Sequence, residues 1–298
     1  MELRSVSKVS TFRQLLSIAT CIALWNIEFR RLSFQVHSFK STIGKRLTHL
    51  FKKIAFSRFF GRLILLFLPS ITSPLMIDYP MAVTYLSSGK RKTVLDIGAG
   101  LSCFPSFLAN YGYTVIGLDI QRDLVAENNL IVKKVRKGKL NGQIFFIVAD
   151  AQYLPFKDGS IPQVISIGAL QFVPNDNRAS SEIARILTKD GVCAISVTYS
   201  PKPKNPGRFP DESVQRFYTD KDIFTRIVDP SGLKLESSYL FGKEISQLVY
   251  SALRIFRAPL RFPFSENPFI DVGLHFLEYL FKRQSKNANG IILKLCRI

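Results

Sequence analysis

An α/β fold on an open, mostly parallel sheet is the class this sequence predicts, and three observations predict it. Between residues 91 and 240, β-branched apolar runs alternate with helix-like stretches, which implies βαβ units with helices on both faces of a sheet. One run, Val94-Leu95-Asp96-Ile97, ends in the glycine turn Gly98-Ala99-Gly100 and opens toward a helix. Nineteen residues beyond Gly100, the run Val115-Ile116-Gly117-Leu118 ends in a second acid, Asp119.

In chain order, strands are expected at 93–97, 114–118, 144–148, 164–167 and 192–198, where Val, Ile, Thr and Phe gather between Gly, Asp or Pro. Helices at 104–111, 122–137 and 176–188 fill the gaps. Asp190-Gly191 reads as a tight turn into the fifth strand, and a Pro- and Lys-rich loop follows it at 200–210. Next come a helix at 220–228 with Thr219 as its N-cap, and a strand at 233–240. Helical segments at 244–256 and 270–282 are separated by Pro259, Pro263 and Pro268, and the chain closes on a strand-like stretch at 291–296.

Residues 1–75 form a separate, basic and helical extension ahead of a domain at 76–298. Leu47, Leu50, Phe51 and Ile54 recur at helical spacing with Lys45, Arg46, Lys52 and Lys53 between them, a form suited to a membrane surface or to a neighbouring domain. Pro74 and Pro80 mark a broken connector, and 81–86 a short helical turn. The apolar run at 15–27 is shorter than the about 20 residues a membrane span needs, and no small-residue cleavage pattern follows it. It reads as a buried or membrane-surface helix in a cytoplasmic or peripheral-membrane protein; an acid-poor, Arg- and Ser-rich start is also compatible with organellar targeting.

Composition narrows the partners. With 47% hydrophobic and 21% charged residues the chain is globular rather than disordered. Its formal charge of +19 favours anionic partners: acidic lipid, nucleic acid or an acidic substrate. Twelve basic residues against Glu2 and Glu28 place about half of that charge in residues 1–62. The four cysteines are scattered, no spacing with His37, His49 or His275 suits zinc, and free thiols in a reducing compartment are expected.

A strand ending in a glycine turn lets a ligand approach the backbone at the carboxyl end of strand one. The nicotinamide fingerprint fits poorly, because its last glycine would be Cys103. Asp96, inside the turn, would repel a pyrophosphate but suits a ligand with a cationic amino group and a sulfonium. Asp119 can accept ribose hydroxyls. Phe146-Ile147-Val148-Ala149-Asp150-Ala151 ends a third strand, where Asp150 can accept an adenine amino proton and the Ala151 N–H can reach a ring nitrogen.

With Leu154-Pro155-Phe156, Asp158-Gly159-Ser160 and the turn Leu187-Thr188-Lys189-Asp190-Gly191, these motifs resemble the class I S-adenosylmethionine-dependent methyltransferases, specifically the ubiquinone-biosynthesis-like type 11 group. The resemblance covers about 75–242 and the final strand. It implies a Rossmann-like seven-stranded sheet of order 3-2-1-4-5-7-6 with strand seven antiparallel, and makes 243–283 a helical insert. It further implies S-adenosyl-L-methionine as cofactor, held by Asp96, Gly98, Ala99 and Gly100 at the methionine end, Asp119 and Ile120 at the ribose, Asp150 and Ala151 at the adenine, with Gly168 after strand four. Departures are Ser102 at the common third glycine, Gln163 where strand four often starts with an acid, and Gln171 where many members carry His. These remove a convenient base and leave Gln171, Tyr199 and His275 as candidates to line the acceptor pocket. The expected function is methyl transfer to a small, hydrophobic or membrane-associated acceptor. An RNA methyltransferase using the basic N-terminal region and a non-catalytic nucleotide-binding scaffold stand as alternatives.

Overall fold

The computed structural model describes residues 78–86, 92–136, 140–208, 214–242 and 288–298, together with Leu15, residues 17–19, Cys21, Ile22, Trp25 and Phe29. The expected helices at 45–54, 244–256 and 270–282, and His275 with them, lie outside the described residues.

A seven-stranded mixed sheet organises the chain. Its strands are β1 (Thr93–Ile97), β2 (Thr114–Asp119), β3 (Gln143–Val148), β4 (Ile161–Ile167), β5 (Leu187–Thr198), β8 (Lys234–Gly242) and β9 (Ala288–Cys296). They lie in the order β3-β2-β1-β4-β5-β9-β8. The first five pair in parallel, and β9 runs antiparallel between β5 and β8. With the small hairpin β6 (Gly207–Arg208) and β7 (Val214–Gln215) set aside, this is the expected order with the last strand inserted antiparallel. The hairpin itself lies partly within what reads as a Pro-rich loop.

Two apolar layers cover the sheet. One face packs α1 (Asp78–Leu86), α2 (Phe104–Asn110) and α3 (Arg122–Arg136) over Val94, Val115, Ile144, Ile165, Ala194 and Ile292. The other packs α4 (Asp176–Ile186) and the helical run α5 (Asp220–Ile223), Phe224–Val228 and α6 (Asp229–Ser231) over Leu95, Ile97, Val164, Cys193, Ile195 and Leu293. Alternate residues of each strand feed opposite layers, so parallel strands buried on both faces read as continuous apolar runs. Truncating a fully buried ring such as Phe104 would cost about 3–5 kcal/mol.

Local chemistry sets the boundaries. Thr219 caps α5 through a reciprocal box with Asp222, as its position in the sequence predicts. Gly232, with φ +62, ends α6 in the left-handed conformation. Helix α1 begins three residues earlier than expected, at Asp78, because Pro80 sits in the first turn, where its missing N–H interrupts no helical bond. Asp190 takes φ +58 at the turn into β5 and is held there by its N–H on the Arg297 carbonyl. Arg297 in turn donates to the carbonyls of Ala184, Arg185 and Leu187, so the penultimate residue closes the end of α4.

The described residues between 15 and 29 are helical, and Leu15, Ile22 and Phe29 are buried in the same layer as α1 and α2, with Ile18, Cys21 and Trp25 packed beside them. This spacing, i, i+3, i+7, i+10, i+14, is one stripe of a helix. Of the two expectations for the 15–27 run, burial is the one the fold realises. Among the described residues no helix is long and apolar enough to cross a membrane.

Candidate functional site

The chain runs outward through β1, β2 and β3 and then returns to β4, so the sheet reverses between β1 and β4. Ligands of open α/β sheets sit beyond the carboxyl ends of the strands at such a reversal. The glycine turn after β1 meets the turn after β4 there. Gly98 has φ +72, and a Cβ added to it would stand 2.2 Å from the Ala169 Cβ, so both conformation and space require glycine.

The backbone of that turn is spent inside the protein. The Gly98 and Ala99 N–H groups both donate to the Leu118 carbonyl, at 2.7 and 3.0 Å. The Gly100 N–H donates to Asp119 Oδ2 at 2.9 Å, and the Gly100 carbonyl accepts the side-chain amide of Asn128 from α3. Asp119 Oδ1 accepts the Gln121 N–H at 2.9 Å. Asp119 is therefore not a carboxylate with two unused oxygens. It fixes the glycine turn to the end of β2 with one lone pair of each oxygen and leaves the other on each available. Beside it Ile120 is 65% exposed.

Asp96 is the opposite case. It is 4% exposed, and its carboxyl makes no hydrogen bond among the described residues. Burial first, and then the Asp119 charge, push it up to about 7. A buried carboxyl without donors is costly when ionised and is relieved by a cation.

At the end of β3, the Ala149 N–H donates to the Asp119 carbonyl at 3.1 Å, which sets the two strand ends side by side. Asp150 accepts from the Gln152 N–H at 2.8 Å, and the Gln152 amide reaches both of its oxygens. The buried Ala151 keeps an N–H with no acceptor among the described residues. Helix α4 holds this turn from behind. Arg178 donates to the Gln152 carbonyl and lies 4.2 Å over the Tyr153 ring, and Arg185 donates to the carbonyls of Leu154 and Phe156.

On the β4 and β5 side the candidates are committed elsewhere. Gln171 Oε1 accepts the Thr198 N–H at 2.7 Å and also faces Thr198 Oγ1, so this carboxamide ties the turn after β4 to the end of β5. Tyr199 donates to Asp220 at 3.0 Å, and burial, then Asp220, push its hydroxyl up to about 12. Gly168 has φ +65 and open space before it. Cys103 is buried, and among the described residues no cluster suits a metal ion.

Two residues of the site have no signal in the sequence pattern. Tyr79 of α1 shares a hydrogen bond of 3.0 Å with Ser102 in the glycine turn, and Asp78 accepts from Ser196 of β5 at 2.8 Å. They bring α1 against the carboxyl ends of β1 and β5.

Known proteins share this arrangement. The methyltransferase domain family matches residues 95–195. Methyltransferase GfsG of Streptomyces halstedii is 31% identical over 112 residues, covering 37% of this chain and 38% of that protein. An uncharacterised protein of Methanocaldococcus jannaschii is 31% identical over 159 residues, covering 51% of this chain and 57% of that one. The chain thus spans less than two thirds of the length of these relatives. Among solved structures, a S-adenosylmethionine-dependent methyltransferase of Methanosarcina mazei matches with a TM-score of 0.51 at 18% identity, covering 74% of this chain and 98% of the other. The [4+2]-cyclase SpnF matches with a TM-score of 0.53 at 15% identity, covering 74% and 80%. The glycine turn, the acids at three strand ends and the sheet order agree with these likenesses: residues 95–195 match the methyltransferase domain family, and the fold is the one these S-adenosylmethionine-dependent methyltransferases share.

Proposed function

We propose that the chain is an S-adenosylmethionine-dependent methyltransferase acting on a small, apolar or membrane-associated acceptor. One observation carries the cofactor reading. The three N–H groups of the glycine turn are consumed internally, while Asp96, a buried carboxyl with no hydrogen bond among the described residues, stands beside it near the end of β1. Such a turn is unsuited to a pyrophosphate, which needs free N–H donors, and suited to a phosphate-free ligand bearing a cation. In this reading Asp96, Gly98, Ala99 and Gly100 hold the methionine moiety, Asp119 and Ile120 the ribose, Asp150 and Ala151 the adenine, and Gly168 leaves room after β4.

When bound, S-adenosylmethionine supplies a methyl group on a sulfonium, open to in-line displacement. The chain's own residues align and desolvate. Orientation of this kind contributes on the order of 7–11 kcal/mol, and the rigid, internally bonded turn provides it. Support for an apolar acceptor comes from Phe172 and Val214, both exposed, on the turn after β4 and on the hairpin packed against that turn. Another relative, from rice, is named a probable tocopherol O-methyltransferase and is 30% identical over 127 residues, 41% of this chain and 34% of that protein. Anionic membrane surface is the partner that suits the basic residues of 1–70 on this reading.

Calorimetry with S-adenosylmethionine on the wild type and on Asp119→Ala tests the cofactor site. Binding is expected in the first and at least a tenfold loss in the second, and equal affinity would overturn the assignment. Labelled methyl transfer into the lipid, RNA and protein fractions of an extract tests the acceptor. Label in lipid or small apolar molecules is expected, and label confined to RNA would move the assignment to nucleic acid.

A further inference from the structure

Ser102 occupies the place of a glycine in the resembled motif, and its surroundings give that substitution a purpose. Its Oγ lies 3.0 Å from Tyr79 Oη and accepts the Phe104 N–H at 3.1 Å, so one hydroxyl joins helix α1, the glycine turn and the first residue of α2. The Tyr79 and Phe104 rings pack at 4.4 Å. One turn further along, Ser106 of α2 accepts the Trp25 indole N–H at 2.8 Å and donates its hydroxyl to the Cys103 carbonyl at 2.8 Å. The first turn of this short helix is thus gripped by two residues that precede β1, and Tyr79, Ser102 and Ser106 are all buried. Leu15, Ile22 and Phe29 share one apolar layer with Tyr79, Phe104 and Phe107.

We propose that Tyr79 is a positioning residue for the cofactor turn, acting through Ser102, and that seating of the N-terminal residues around Trp25 and filling of the cofactor site are coupled. The inference rests on the S-adenosylmethionine reading of that turn. Asp119 and Asn128 fix Gly100, and the Tyr79–Ser102 bond holds the next part of the turn against α1. Removing the tyrosine hydroxyl leaves the buried Ser102 hydroxyl with the Phe104 N–H alone, cuts its tie to α1 and lets the turn sample conformations that do not bind. Apparent affinity then falls in proportion to the competent fraction. Coupling is reciprocal, so a ligand that holds the turn must also hold the residues docked on α2.

The chain contains one tryptophan, and it is Trp25, which makes the coupling readable without activity. S-adenosylhomocysteine is titrated calorimetrically into the full-length wild type, Tyr79→Phe, Ser102→Gly and the double variant, and acrylamide quenching of Trp25 is followed with and without it. Expected are a three- to tenfold weaker affinity for Tyr79→Phe, no further loss when the same change is made in the Ser102→Gly background, and ligand-dependent shielding of Trp25 that is reduced in Tyr79→Phe. A structural role alone would lower the melting temperature and leave affinity and shielding unchanged. Wild-type binding with unaltered affinity in Tyr79→Phe, or additive losses in the double variant, or quenching indifferent to ligand overturns the coupling and leaves the cofactor reading intact. No binding to the wild type overturns the cofactor reading and the coupling with it. Should Ser102→Gly fail to fold, Ser102→Ala replaces it in the cycle with the same expectations.

Discussion

Replacing Asp96 by Asn should stabilise the ligand-free protein and weaken its hold on S-adenosylmethionine, and both effects follow from one buried carboxyl. Burial and the Asp119 charge raise its pKa from 3.8 to about 7. The folded state therefore binds this proton more tightly than the unfolded state does. The associated stability is full below about pH 4 and is lost as pH rises through about 7. The difference across that window is about 4 kcal/mol at 1.36 kcal/mol per pH unit. Asparagine has no charge to desolvate, although burial of its amide returns part of the gain, so ligand-free Asp96→Asn should exceed the wild type by about 2–4 kcal/mol at pH 8. It should match the wild type near pH 4. In a domain of this size that is a rise in melting temperature of about 4–15 °C. Thermal melts of both proteins from pH 4 to 8.5, with and without S-adenosylhomocysteine, check the claim. The ligand should raise the wild-type melt more at pH 8 than at pH 5.5, because its amino cation meets the carboxylate form, and should raise the variant's melt little at any pH. A variant less stable than the wild type at pH 8, or equal ligand shifts in both proteins, would refute the argument.

Three further outcomes are expected. Gly98→Ala forces a Cβ to 2.2 Å from the Ala169 Cβ at φ +72, so it should destabilise by more than about 2 kcal/mol, read from urea unfolding, and abolish cofactor binding in whatever folds. Arg297→Ala removes a cation that closes the end of α4 on three carbonyls; a loss of about 1–3 kcal/mol in the same assay is expected, with cofactor affinity retained. Gln171→Ala strips the Thr198 N–H of its acceptor, so it should lower stability by about 1–2 kcal/mol, and Gln171→Glu, which keeps an acceptor there, should recover most of that.

Much of this fold was legible because parallel strands buried on both faces announce themselves as apolar runs, and because the acids that end β1, β2 and β3 fall where the chain must turn. Thr219 was legible as a cap for a local reason: its partner Asp222 is three residues away. What stayed hidden depends on partners distant in sequence. Ser102 reads as a lost glycine until Tyr79, 23 residues upstream, is brought to it. Tyr79 itself lies in a stretch that Pro74 and Pro80 mark as broken, although a proline in the first helical turn breaks nothing. Gln171 looks like a replacement for a catalytic residue, and only the return of β5 shows that its carboxamide is occupied by Thr198, 27 residues on. The hairpin of β6 and β7 has two residues per strand, too few for any periodicity to register.

The acceptor side raises a question of protons that the geometry narrows. A methyl acceptor that arrives as a phenol or acid must lose its proton, and a base helps only if it is within reach and near the working pH. Gln171 has no titratable proton. Tyr199 is pushed up to about 12, with its hydroxyl already directed at Asp220. Tyr218 is raised as well, by burial and by Asp176, to which it donates at 2.7 Å. None of the three can accept a proton near neutrality. The pH dependence of kcat should therefore follow the ionisation of the acceptor rather than of these residues. Two acceptors of one chemical class that differ in pKa should give rate profiles displaced by that difference, and Tyr199→Phe should leave both profiles in place. A profile that stays put when the acceptor is changed, or one that moves in Tyr199→Phe, would assign the proton to the protein instead.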